Sequence, residues 1–263
     1  MKKYLIILGL LPLLVSCNNS QDPSSAQPSS DPSGTNTAQS SGTTSGSQSE
    51  KEEALDVVTA DVAANNFTMN ATIQMPERGT SSVAYAFNDK VSCLSPVGAD
   101  PMYYIINGNS IDGYFKNGSG VYSLVGSTPT TFNTFTLDYL FGQATKETLQ
   151  DIFKAVKPED VKENSGTYHI DEVILHLDAA KASALMHVDA SLVTDGLEWP
   201  LTNIDFTIED EHLKTFNAEQ CAIGYNAEKG VHFETEPSRF STALSQYGTT
   251  VINLPPEIPA PQA

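Results

Sequence analysis

From Phe67 to Met75 apolar and polar residues alternate. Phe67, Met69, Ala71, Ile73 and Met75 fall on one side, and Thr68, Asn70, Thr72 and Gln74 on the other. A period of two predicts a strand with one dry and one wet face. Ser82 to Phe87 repeats it, with Val83, Tyr85 and Phe87 on the dry side, and Asn88-Asp89 turns the chain into Lys90 to Leu94. Met102 to Ile106, Ile111 to Phe115 and Val121 to Val125 follow, separated by Asn107-Gly108-Asn109 and Asn117-Gly118-Ser119-Gly120. Asn-Gly pairs supply the positive φ angles of tight hairpins. The pattern predicts an antiparallel meander of about six strands over residues 67–125.

Helical spacing appears on both sides of that meander. Glu52 to Ala64 carries Leu55, Val58 and Val62 on one stripe, with Glu52 and Glu53 in the first turn, where acids suit the helix dipole. Lys146 to Lys157 places Leu149, Ile152, Phe153 and Val156 on one face, between Thr145 as N-cap and Pro158 as stop. Asp178 to His187 reads as an Ala-rich helix capped by Asp178, while Val173 to Leu177 fits strand or helix equally.

Period two then returns. Ile204, Phe206 and Ile208 alternate with Asp205, Thr207 and Glu209; Asp210-Glu211-His212 turns into Leu213 to Ala218; Val231, Phe233 and Thr235 alternate with His232 and Glu234. Thr249 to Asn253 is expected as a last strand, ended by Pro255-Pro256. The fold class expected is α+β: a curved antiparallel β-sheet, a half-barrel of about 10–11 strands, covered by a few helices. A sheet of that width coils, and its apolar face needs a cover.

The first residues follow different rules. Lys2 and Lys3 precede the apolar run Tyr4 to Val15, which ends in Ser16-Cys17. A basic start, a short apolar stretch and a small residue before the cut mark an export signal. The run is 12 residues long, against about 20 for a span. Leu14-Val15-Ser16-Cys17 resembles the bacterial lipobox, which implies lipidation of Cys17 and an extracytoplasmic domain anchored to the bacterial cell membrane. Two acyl chains hold such an anchor firmly, at about 0.8 kcal/mol for each buried CH₂. Residues 18–49 are nearly all Ser, Thr, Gly, Gln, Asn, Pro and Asp. They cannot bury enough apolar surface to offset their ordering, so they read as a disordered tether. The organisation expected is a signal peptide over 1–16, lipidated Cys17 and tether over 17–50, one domain over 51–256, and a flexible tail over 257–263.

Charge narrows the partners. Loss of residues 1–16 removes two of the 14 Lys+Arg and none of the 32 Asp+Glu, so the mature charge is 12 − 32 = −20. Such a surface repels nucleic acid, and a monomer is expected. Two cysteines remain beyond the anchor, Cys93 and Cys221. In an oxidising compartment they could bridge, and two separate buried thiols fit the sequence equally.

No common catalytic spacing occurs: there is no Gly-x-Ser-x-Gly, Ser-x-x-Lys, His-Glu-x-x-His or Gly-x-x-x-x-Gly-Lys. No metal site, cofactor or catalytic residue is expected. His169 and His176 lie near Asp171 and Glu172, and Glu209-Asp210-Glu211 clusters three carboxylates; both read as solvated polar groups, since a calcium site needs six to eight placed oxygens.

Four features carry a family resemblance: the lipobox with its tether; the helix leading into Asn66-Phe67-Thr68-Met69-Asn70 and a meander with Gly113-Tyr114-Phe115 and Val121-Tyr122; Leu201 to Ile208 turning into Leu213 to Phe216; and Tyr247-Gly248 before Val251 to Pro255. Together they resemble the LppX/LprG lipoproteins and, more distantly, the LolA/LolB lipoprotein carriers. The resemblance implies an eleven-stranded half-barrel, one strand more than the pattern counts, with a cavity between sheet and helices for acyl chains of a lipid or lipoprotein. Phe67, Met69, Ile73, Tyr85, Phe87, Ile204 and Phe206 are the candidates to line it. The same alternation also serves a solid core, in which case the chain is a structural or interaction lipoprotein without a small-molecule ligand.

Overall fold

The computed structural model describes residues 47–75, 79–129, 137, 149–186, 189–221, 223–226, 228, 230–233 and 237–262. The expected signal peptide, Cys17 and the expected tether up to residue 46 lie outside the described residues, as do the start of the helix expected from Lys146, His187 at the end of the helix expected from Asp178, and residues 234 and 235.

Helix α1 (Gln48–Asp61) begins inside the stretch assigned to the tether. Its start is set by a capping box: Glu50 N–H donates to Ser47 Oγ at 3.3 Å, and Ser47 N–H to Glu50 Oε2 at 2.5 Å. That box satisfies two of the free donors of the first turn. Ala54, Leu55, Val58 and Val62 are buried on one stripe.

The meander is present as six strands: β1 (Asn66–Met75), β2 (Gly79–Asn88), β3 (Val91–Pro96), β4 (Met102–Asn107), β5 (Ser110–Lys116) and β6 (Tyr122–Pro129). After α2 (Leu149–Ala155) come β7 (Lys162–Asn164), β8 (Thr167–Leu177), α3 (Ala179–Met186), β9 (Leu197–Glu209) and β10 (His212–Gln220). A small hairpin, β11 (Ile223–Asn226) with β12 (Gly230–Phe233), precedes β13 (Ser238–Ser245). Eleven strands form one antiparallel sheet in the order β6-β5-β4-β3-β2-β1-β13-β10-β9-β8-β7. It is open, with β6 at one edge and β7 at the other. The chain therefore leaves the first meander at one edge and starts the second at the opposite edge.

β7, β11 and β13 go beyond the expected strands, and one expected strand is absent. Residues 249–253 form no strand; β13 is the last, wedged between β10 and β1. Its inward positions are Phe240, Thr242 and Leu244, and the polar middle residue breaks the apolar alternation. Thr242 is buried at no loss of hydrogen bonding: its Oγ1 donates to Phe216 O at 2.5 Å and accepts Phe216 N–H at 3.1 Å. Residues 173–177 are strand, because β8 pairs along its length with β9. The turn between β9 and β10 is Asp210-Glu211, both at positive φ, a two-residue hairpin.

α1 and α2 lie together over the sheet, α1 against β10 and α2 against β8. Phe153 of α2 meets Phe216 of β10 edge-on, with ring centroids 5.8 Å apart. On the opposite face a second cluster joins Tyr103, Ile105, Tyr114 and Ile258, with Ile252 and Leu254 against it. Residues 251–262 run without strand structure over β3 to β5. Ile258, in the stretch expected to trail free, is buried, and Lys90 Nζ donates to Gln262 O at 2.8 Å. This explains why Met102-Tyr103-Tyr104-Ile105 is buried without alternation: a strand covered on both faces reads as a continuous apolar run. No helix among the described residues is long and apolar enough to cross a membrane.

Candidate functional site

The seven residues expected on the apolar face come together on one side of the sheet. The register pairs Phe67 with Phe87 and Met69 with Tyr85 across β1 and β2. Phe67 and Phe87 rings are 4.8 Å apart, Phe67 and Tyr247 5.8 Å, and Tyr85 and Phe87 5.8 Å. On the far half, Phe206 stacks on Tyr168 at 5.3 Å. Phe67, Phe87, Ile204 and Phe206 are 0 % exposed, Met69 1 % and Tyr85 3 %. A residue lining a cavity wide enough for an acyl chain would present surface to a water-sized sphere. These present almost none. Ile73, nearer the end of β1, is half-buried against the same cluster.

Cys93 and Cys221 are free thiols, so the bridge left open by the sequence is not formed. The strand order explains this. Cys93 lies on β3 and Cys221 directly follows β10, with β2, β1 and β13 between them. Four inter-strand steps of about 4.8 Å separate the two strands by about 19 Å, against a Cα separation below about 7 Å for a disulfide. The backbone carbonyl of Cys221 accepts the indole N–H of Trp199 at 3.0 Å.

The polar residues around His169 form a network that sequence did not assemble. His169 on β8 lies opposite Asp205 on β9. Its Nδ1 is 2.8 Å from Asp205 Oδ1 and its Nε2 is 3.0 Å from Asp171 Oδ1. Lys162 on β7 then donates to both Asp171 oxygens at 2.7 and 2.6 Å. The Asp205 hydrogen bond raises the His169 pKa above 6.5 against desolvation, with Asp171 adding to it. Lys162, then His169, holds Asp171 below the usual carboxylate value. Both ring nitrogens are occupied, so His169 ties strands together. His176 sits apart, its Nδ1 3.6 Å from Glu198 Oε1. Glu209 pairs with Lys214 at 2.9 Å, beside the Asp210-Glu211 turn. Among the described residues, no group of three or more His, Cys, Asp or Glu side chains is placed to hold a metal ion.

Beside the network an open cleft of about 550 Å³ separates α2 from β8. Ile152 of α2 and Val156 just after it form one wall, Ile170, Val173 and Ile174 of β8 the other, and Glu159, Asp160, Asp171, Glu172, Lys162 and His176 the rim. β8 can supply both kinds of side chain because its facing changes midway. Ile170 and Val173 are both buried, with Asp171 and Glu172 exposed between them. Opposite, Asn203 of β9 takes positive φ, and the β9–β10 register shifts by one residue between Asn217 and Glu219. That is a bulge, and a bulge re-aims side chains. Period-two reading has no way to expect it, and the alternation of β8 is broken just before 173–177, the stretch that fitted strand and helix equally.

No protein-family model and no curated protein matches this chain.

Proposed function

We propose that this chain is a membrane-anchored extracytoplasmic lipoprotein that works as an interaction protein with a solid interior. One observation carries the choice: Phe67, Phe87, Ile204 and Phe206 leave no surface for a ligand to touch. A close-packed interior stabilises the domain and presents its work to the outside. The reading takes its anchor from Ser16-Cys17 after the apolar run, and its reach from the tether before α1. It has no catalytic step. The acidic surface then selects partners by charge, which governs encounter and specificity more than raw affinity.

A second reading has an observation of its own. The open sheet with α1 and α2 over one face is in keeping with a half-barrel, and the cleft of about 550 Å³ lies between sheet and helix, within the size range of small-ligand pockets. An acyl chain there would gain about 25 cal/mol per Å² of apolar area leaving water. Lipid extraction and mass spectrometry on a secreted Cys17→Ser chain separates the two. A clean protein with one cooperative unfolding transition is expected. A stoichiometric co-purifying lipid, lost on Ile174→Asp without unfolding, would replace the first reading with the second.

A further inference from the structure

β7 covers only the beginning of β8. It pairs Lys162–Asn164 with Thr167–His169. Among the described residues, the edge of β8 from Asp171 to Leu177 has no strand beside it. The cleft between α2 and β8 runs along this edge, with Glu159 and Asp160 on its far side. An uncovered edge offers a row of backbone donors and acceptors, and an extended segment can join it as a further strand.

We propose that this edge takes an extended protein segment carrying Lys or Arg, which adds to the sheet beside β8. The inference rests on the interaction reading above and names its partner. Charge decides the occupant. Four carboxylates rim the cleft against one lysine, and Lys162 is already spent on Asp171. The carboxylates of Asp160 and Glu172 take part in no hydrogen bond or ion pair among the described residues, and both residues are exposed. A second copy of the chain would bring the same carboxylates and a formal charge of −18. The chain's own tether, residues 18–49, contains no Lys or Arg. A basic foreign segment is the one occupant that the rim attracts. Its ladder bonds would supply affinity, and alternate side chains would rest on Val156 and Ile174.

The test uses the full chain in nonionic detergent micelles and a fluorescent Lys-Val-Lys-Val-Lys-Val peptide. A Glu-Val peptide of the same length and a Lys-Val peptide with N-methylated backbone serve as controls. The Lys-Val peptide is expected to bind at low ionic strength, and the binding to fall in about 1 M salt, where the Debye length is about 3 Å. Amides of 171–177 should gain protection from hydrogen exchange, and both controls should fail. Asp160→Lys with Glu172→Lys, both on exposed side chains, should weaken binding at least about tenfold. Equal binding of the N-methylated peptide, or no new protection at 171–177, would overturn strand addition. No binding of the Lys-Val peptide would overturn the whole inference and leave the packed interior standing, whereas a stoichiometric lipid in the Cys17→Ser chain would remove the interaction reading itself.

Discussion

The carboxylate of Asp61, at the end of α1, accepts the backbone N–H of Leu213 at 2.7 Å. Tyr247 Oη donates to the carbonyl of the same residue at 2.8 Å. Leu213 borders a register shift between β9 and β10, where the ladder is disrupted and backbone groups lose their strand partners. Two side chains from distant parts of the chain take their place. An acid near a helix C-terminus is unfavourable to the dipole, so Asp61 owes its position to Leu213 and to the adjacent His212, whose Nδ1 is 3.3 Å from Oδ2. Asp61→Ala leaves the Leu213 N–H buried without a partner and should cost about 1–3 kcal/mol, whereas Tyr247→Phe should cost about 0.5–1.5 kcal/mol. Urea unfolding followed by Trp199 fluorescence measures both. Asp61→Asn keeps an acceptor and should lose less than Asp61→Ala; equal losses would show that the charge facing His212 Nδ1 at 3.3 Å, and not the hydrogen bond, matters.

The corner of β7, β8 and β9 should depend on pH from both sides. The His169 pKa is raised above 6.5, so its contribution is fully present below 6.5 and is lost as pH rises through the folded value. The Asp171 pKa is lowered from 3.8, so its contribution is present above 3.8 and is lost as pH falls through the folded value. The corner is therefore tightest between the two. Amide exchange of 162–171 as a function of pH reads this directly. His169→Gln should abolish the loss on the alkaline side and keep the loss on the acid side. An unchanged alkaline profile would mean that another group titrates there.

Gly196 holds the return from α3 into β9. Its φ is +74°, and a Cβ placed on it would collide with Leu177 O, the last carbonyl of β8. Gly196→Ala should cost at least about 1–2 kcal/mol from the left-handed backbone alone. Gly118→Ala, at an exposed position with open space around the added carbon, should stay within about 0.5 kcal/mol. Thermal unfolding of the pair compares the two. Equal melting temperatures would mean that the 193–197 turn adjusts freely.

The meander from β1 to β6 was legible because β1 and β2 alternate, Asn88-Asp89 turns the chain into β3, and Asn-Gly turns join β4, β5 and β6. The shared face of Phe67, Met69, Tyr85 and Phe87 followed from the same count. Three things were not. β13 hides because a buried threonine stands where the pattern expects an apolar residue. The facing change of β8 at Asp171-Glu172 answers a bulge in β9, and a bulge is decided by the neighbouring strand. The outer cluster around Ile258 depends on where a coil comes to rest. As for the site, alternation places a residue inward without saying whether it meets another side chain or a void. The His169 network joins residues from three strands whose order the sequence does not state.

The separation of β3 from β10 makes a chemical prediction. Cys93 and Cys221 should be two reduced thiols in protein taken from an oxidising compartment. A thiol-specific reagent added after unfolding should increase the mass of the Cys17→Ser chain by two labels without prior reduction, and mobility should not change on reduction. Both thiols are half-buried, so labelling of the folded chain should be slower. Zero labels before reduction and two afterwards would require the strand order between β3 and β10 to be different.

The packed interior is most sharply tested at Phe67, which is 0 % exposed and meets both Phe87 and Tyr247. In a solid core, Phe67→Ala removes a large buried side chain and leaves a hole, at about 3–5 kcal/mol. A domain of ordinary stability, about 5–15 kcal/mol, would survive this in the cold with a much lower melting point. Ile73→Ala, half-buried at the strand end, should cost less. Were Phe67 instead the wall of a ligand space, its truncation would widen a void that already exists and cost far less than a filled position does. Urea midpoints of the two variants decide this. A Phe67→Ala loss no larger than that of Ile73→Ala would mean that the interior around the Phe67 ring is hollow, and would favour a bound apolar ligand over an interaction surface.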